Sequence, residues 1–215
     1  MLRCCRASGL MLIALVACAP VPGTGIMQVQ AISEKRVLVG AGGASVNVVP
    51  PEGFCVAADS VKTSSQSVFV LIGGCGNAET AELLTASVSS APLFAAGSAP
   101  DEDLDRLEEF VGSEHGLALV SRSGEAGKLR ILETHREGEA LILFVEDSGQ
   151  PIIPNASPRF WRAFLELGGR MVSLSASTFN DRPTEERTML SLLRRFIAAL
   201  RQANPAAPAA LPLAG

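Results

Sequence analysis

Short apolar runs broken by turn formers dominate the middle of the chain. "ASVNVVP" reads as a strand stopped by Pro50-Pro51, and "GFCVAA" and "SVFVLIGGC" are strand-like on either side of the polar "DSVKTSSQS". "KLRILETHREGEALILFVED" predicts a hairpin around Glu137-Gly138, with Leu141, Leu143 and Val145 on one side of the return strand. "RFWRAFLELGGRMVSLSAS" predicts another. There Trp161, Ala163, Leu165 and Leu167 alternate with Phe160, Arg162, Phe164 and Glu166. Gly168-Gly169 supplies a tight primed turn, and Val172, Leu174 and Ala176 continue the alternation. A helix is the alternative for the first half of that segment, because Phe160, Phe164 and Leu167 also fit a helical period. "AETAELLTASVSSAP" divides: its first half suits a helical turn and "LLTASVS" a strand, so 77–92 stays unassigned.

Two segments carry helical patterns. In "SAPDEDLDRLEEFVGSEHG", Ser98 suits a cap, Pro100 a first turn, and Asp101, Glu102 and Asp103 complement the positive end of the helix dipole. Leu104, Leu107 and Val111 share a face, Gly116 is the expected stop, and "LALVSRSG" resumes strand character. In "TEERTMLSLLRRFIAALRQAN", Thr184, Glu185 and Glu186 open the helix. Met189, Leu193, Phe196, Ile197 and Leu200 form its buried stripe, and Asn204-Pro205 ends it. The tail "PAAPAALPLAG" is low-complexity and reads as unfolded. The fold class is therefore α+β: a mainly antiparallel β-sheet with two flanking amphipathic helices.

Composition bounds the function. At 47% hydrophobic and 19% charged residues, the chain has enough apolar material for a core. With no Tyr and Trp161 as its one Trp, it lacks stacking platforms for sugars or bases, and a net charge of −4 without a basic stripe disfavours nucleic acid. At the N-terminus, Arg3 and Arg6 precede the short apolar run "GLMLIALVA". That run falls far short of the roughly 20 residues that span a bilayer, so it reads as an export signal. Arg3 and Arg6 are separated by two cysteines, which excludes a twin-arginine signal.

Leu15-Val16-Ala17-Cys18 resembles the lipobox of bacterial lipoproteins. The resemblance implies cleavage before Cys18, a diacylglyceryl group on its thiol, and, with Ala19 rather than Asp next, an outer-membrane destination facing the periplasm. Ordinary secretion with cleavage after Ala19 or Gly23 is the plainer alternative. Cleavage before Cys18 removes two of the 18 basic residues and none of the 22 acidic ones, giving a mature charge of −6. The expected organisation is a signal peptide at 1–17, a lipidated tether at 18–35, a single α+β domain at 36–203 and a disordered Ala/Pro tail at 204–215.

Cys4, Cys5 and Cys18 belong to the signal or anchor, which leaves Cys55 and Cys75 in the folded part. An isolated pair in an exported protein reads as a disulfide. Folding the segment about Ser65 sets the two cysteines equally far from the bend, opposite each other on an antiparallel pair. A metal or redox pair is the competing reading, without CxxC spacing and with few histidines nearby.

The order of elements, with "VNVVPPEGFCV", "GGRMVSLSAS" and a closing amphipathic helix, resembles the PsbP/Mog1/DcrB fold group over most of 45–203. The phrases "GFCV … VFVLIGGC" and "WRAFLELGGRMVSLS" are also similar to alphaproteobacterial envelope lipoproteins. The fold-group resemblance implies a non-enzymatic accessory or binding role; the lipobox resemblance adds a membrane contact through Cys18, and an envelope protein is the expected partner. The paired cysteines depart from the fold group's pattern.

No motif points to catalysis, a cofactor or a metal. From Gly74 the chain runs Gly-Cys-Gly-Asn-Ala-Glu: Glu79 replaces the small residue of a dinucleotide fingerprint and no GK[ST] follows, so Gly73, Gly74 and Gly76 are expected only to turn the chain. "DEDLD" would place Arg106 and Gly112 where a calcium loop needs Gly and Glu, and a helix start accounts for the same acids. His115 and His135 are the only histidines, with neither HExxH nor GxSxG in the chain. A small envelope hydrolase using one of them with nearby carboxylates is the rival reading. Glu133, Glu137, Glu146 and Asp147 gather around one hairpin in sequence, as solvated surface acids do. Arg194, Arg195 and Arg201 lie late in the last helix, where they complement its negative end, with anionic lipid as a second reading.

Overall fold

The computed structural model describes residues 26–76, 80–94 and 100–205. The expectations for the signal peptide, for Cys18, for Ser98 as a cap and for the tail beyond Pro205 lie outside these residues.

In chain order the elements are β1 (Gln28–Ser33), β2 (Arg36–Ala41), β3 (Ala44–Val48), β4 (Phe54–Val56), β5 (Lys62–Thr63), β6 (Ser67–Gly74), β7 (Glu82–Ser89), α1 (Pro100–Gly112), α2 (Glu114–Val120), β8 (Leu129–Glu137), β9 (Ala140–Asp147), β10 (Ala156–Leu167), β11 (Arg170–Phe179) and α3 (Glu186–Ala203). The protein is α+β with antiparallel sheets. The large sheet runs β4-β6-β7-β11-β10-β9-β8, with β5 also paired to β6, and β1-β2-β3 form a small second sheet.

Alternation fixes what each face of the large sheet buries. Its first face carries Val68, Val70 and Ile72 from β6, and Leu84, Ala86 and Val88 from β7. It continues with Val172, Leu174 and Ala176 from β11, Trp161, Ala163 and Leu165 from β10, and Ile142 and Phe144 from β9. α3 and the small sheet close over this face. α3 buries Met189, Leu190, Leu192, Leu193, Phe196, Ile197 and Leu200, the predicted stripe widened by two leucines. At about 1.5–3 kcal/mol for each large apolar side chain, this burial far outweighs helix propensity as the reason α3 forms. Asn204 ends the helix and donates from Nδ2 to the Asn47 carbonyl, while its Oδ1 accepts from the Asn47 N–H at 2.7 Å, which fastens α3 to β3. Buried Arg170 ties the sheets together by donating to the carbonyls of Ser90 and Ala41.

Gly168 and Gly169, at φ 56° and 70°, make the two-residue turn that joins β10 to β11, as the glycine pair predicted. The strand reading of 156–167 therefore prevails over the helical one, and residues 82–89 are strand β7.

Three expectations need correction. Residues 28–33 are not tether but strand β1, which pairs with β2; it is a short edge strand in which Val29 and Ala31 are only half-buried between exposed Gln28 and Gln30. Among the described residues three α-helices flank the sheets rather than two, because "LALV" belongs to α2, capped by Ser113 Oγ accepting from the Gly116 N–H. Gly116 is therefore inside a helix. It lies so close to the end of α1 that a Cβ there would stand 1.9 Å from the Phe110 carbonyl oxygen, a fit only glycine allows. Finally, Cys55 pairs in register with Gly73, not with Cys75. The 3-10 turn at Ala58–Ser60 shifts the centre of the bend, and the Cys55–Cys75 disulfide closes diagonally across the end of β4 and β6, with Cα atoms 4.9 Å apart.

Candidate functional site

The second face of the large sheet divides in two. Over β8, β9 and β10 it is apolar, and Leu141, Leu143, Val145, Phe160 and Phe164 pack with Leu104, Val111 and Val120 of α1 and α2. Over β11, β7 and β6 the same rows become hydroxyl-rich. Phe164 stands across from Ser173, Arg162 from Ser175 and Phe160 from Ser177. Those serines face Ser87, Thr85 and Leu83 on β7, with Phe69 and Leu71 of β6 beyond Ser87 and Thr85.

A small pocket opens where the two halves meet. About 40 Å³ of free space is lined by Phe69, Leu83, Thr85, Arg122, Ile152, Ile153, Ala156, Arg162, Ser175 and Ser177. Arg162 sits in the middle of β10 at a position whose neighbours on the same face, Phe160 and Phe164, are buried aromatics. Arg122 arrives from the segment after α2. Its backbone N–H donates to Asp147 Oδ2 at 2.6 Å and its Nη1 donates to the Ser157 carbonyl at 2.8 Å. The two guanidinium groups share the Phe160 ring: the Arg122 Cζ is 3.7 Å from the ring centroid and the Arg162 Cζ 5.3 Å.

The charges do not cancel by contact. Asp147 is buried, but its carboxylate is held by the Ser121 hydroxyl and the N–H groups of Arg122 and Gly149. Neither guanidinium makes an ion pair with a carboxylate among the described residues. The Arg162 Nη1 donates to the Val120 carbonyl, while its enclosed Nε has no hydrogen-bond partner. Burial lowers the pKa of Arg162 to about 10, against the attraction of Asp147. Burial, and then the neighbouring Arg162, lower that of Arg122 to about 10 as well. Both remain charged at neutral pH, so the pocket holds two cations near one carboxylate that is already hydrogen-bonded.

The residues singled out by sequence lie elsewhere. His115 is exposed on α2, with its ring centroid 6.0 Å from that of Phe110. His135 lies on β8 beside Trp161, and its Nε2 is 3.1 Å from Glu133 Oε2. Neither lines the pocket. The four hairpin acids separate: Glu133 goes to His135, Glu137 to Arg194, Glu146 to Arg159 and Asp147 to the opposite face. Arg194 and Arg201 both reach Glu137, at its carboxylate and its carbonyl, so they secure α3 to the β8–β9 turn. Among the described residues no group of three or more His, Cys, Asp or Glu is placed to hold a metal, and no helix is long and apolar enough to cross a membrane. Arg122 and Arg162 were missed in sequence. The available signal was Arg162 itself, a cation in an otherwise apolar strand position.

No protein-family model and no curated protein matches the chain. Among solved structures it is similar to the solution structure of cyanobacterial PsbP (CyanoP) from Synechocystis sp. PCC 6803, at 16% identity and a TM-score of 0.41, over 86% of this chain and 96% of that one. This is too distant to place the chain in a family.

Proposed function

We propose that the chain is a lipid-anchored protein of the bacterial cell envelope, facing the periplasm and held in the outer membrane through Cys18. It serves as a non-catalytic binding or accessory component of an envelope or transport-related complex. The observation that carries the compartment is the Cys55–Cys75 disulfide, which closes an edge of the sheet in the folded domain. Such bonds persist in oxidising compartments, and the export signal and "LVAC" precede this one in the same chain. Several acyl chains on Cys18 make attachment durable, each buried methylene contributing about 0.8 kcal/mol. The binding role rests on the half of the sheet face that no helix among the described residues covers and on the arginine pocket at its border.

The test is processing in the native host. Globomycin is expected to block maturation, and Cys18→Ala to release the protein from the membrane fraction. Unchanged processing and membrane association in that variant would sink the anchor. Thiol labelling of the exported protein is expected to find Cys55 and Cys75 blocked until reduction, and two free thiols would remove the argument for an oxidising compartment.

A further inference from the structure

We infer that the pocket between Arg122 and Arg162 binds the carboxylate end of a small acid with an apolar tail. The carboxylate lies against the two guanidinium groups, and the tail lies over Phe69, Leu83, Ile152 and Ile153. The donor supply argues for an anion. Each guanidinium has five N–H donors, yet among the described residues Arg122 and Arg162 each make one hydrogen bond from that group, which leaves donors for a ligand. An anionic oxygen is the partner a guanidinium binds best.

The surroundings argue for this kind of anion. Arg122, with its Cζ 3.7 Å over the Phe160 ring, is held in place by that contact before a ligand arrives, which lowers the entropy lost on binding. About 40 Å³ exceeds the roughly 10–15 Å³ that one water needs, but admits only a group of a few heavy atoms. A planar carboxylate suits that space better than a tetrahedral phosphate with its extra oxygens. Thr85 and Ser175 hydrogen-bond to each other, so they are partly committed already. Two-thirds exposed Ile152 stands at the mouth with Ile153, where an apolar tail covers it and leaves the ligand's far end in solvent. Asp147, the nearest carboxylate, sets a limit on charge: a monoanion neutralises the remaining excess, and a dianion overshoots it.

The assignment rests on the binding role proposed above and gives it a ligand class. The test titrates the mature lipidated chain in nanodiscs with hexanoate, hexanol, acetate and hexyl phosphate, following the Nε–H resonances of the arginines by NMR against empty nanodiscs. Hexanoate is expected to shift the Arg122 and Arg162 signals saturably, binding at least tenfold more tightly than hexanol or acetate. Arg162→Lys, which keeps a charge but removes the fork and Nε, is expected to weaken hexanoate at least tenfold. Absence of a shift at millimolar hexanoate, equal binding of hexanol, or tighter binding of hexyl phosphate would each overturn the assignment. The wild-type resonances give the answer even if the variant misfolds. Repeating the titration on Cys18→Ala separates the two readings, since a failed anchor leaves the shifts intact and a failed pocket leaves the anchor intact.

Discussion

Across β8, β9 and β10 the second face of the sheet carries Leu141, Leu143, Val145, Phe160 and Phe164, and two helices cover it. Across β11, β7 and β6 the same rows carry Ser173, Ser175, Ser177, Thr85 and Ser87, and no described helix lies over them. The change happens between β10 and β11, inside one hairpin with a two-residue turn. Coverage follows side-chain chemistry: the apolar rows need a cover, while Thr85 and Ser175 satisfy their hydroxyls by bonding to each other and need no helix. The two halves are also secured differently. The covered half relies on α1 and α2, and the open half relies on the first-face core and on the disulfide at its outer edge.

The largest expected break falls on the covered half. Leu143→Ala removes a fully buried side chain under α1 and α2 and is expected to destabilise by about 2–5 kcal/mol in urea unfolding. A loss below 1 kcal/mol would mean the helices cover this half loosely. Next, replacing both cysteines with Ala is expected to destabilise by about 3 kcal/mol in the chain-entropy account of a 20-residue separation. Amide exchange should then rise first in β4 and β6 while β8–β10 stays protected; a uniform rise would show that the halves unfold as one unit. At the boundary, Asp147→Asn retains the shape but loses charge-assisted bonds from Ser121, Arg122 and Gly149, for a loss of about 1–3 kcal/mol by thermal unfolding. The smallest effect belongs to the open half. Ser87→Val with Ser173→Val is expected to change stability by less than about 1 kcal/mol, while sedimentation detects self-association through the new apolar patch. A large destabilisation would mean that these hydroxyls are structural.

Much of this division was legible in the chain. The β10–β11 hairpin declares itself because Gly168-Gly169 demands a primed turn and Val172, Leu174 and Ala176 alternate with serines on the return arm, so the serine row of β11 could be read directly. α2 was not legible: four apolar or small residues at 117–120 suit a strand as well as a helix, and only the Ser113 cap and the close approach of Gly116 to Phe110 decide. β1 was overlooked for a different reason: Val29 and Ala31 alternate with Gln28 and Gln30, but only to half-burial, in a six-residue edge strand that follows Gly/Pro-bearing chain. The pocket was beyond reach because Arg122 and Arg162 are far apart in sequence. They meet through the pairing of β9 with β10 and the hydrogen bond that fixes Arg122 to Asp147.

The Cys55–Cys75 bond also has a mechanical consequence. In a chain pulled by its two ends, the residues between the cysteines are bypassed and bear no load. At about 3.3–3.6 Å for each extended residue, a 20-residue separation bridged at 4.9 Å shortens the fully drawn chain by about 60 Å. A single-molecule stretching record should therefore gain about that contour length on reduction, and the slack it releases comes from the outer edge of the open half.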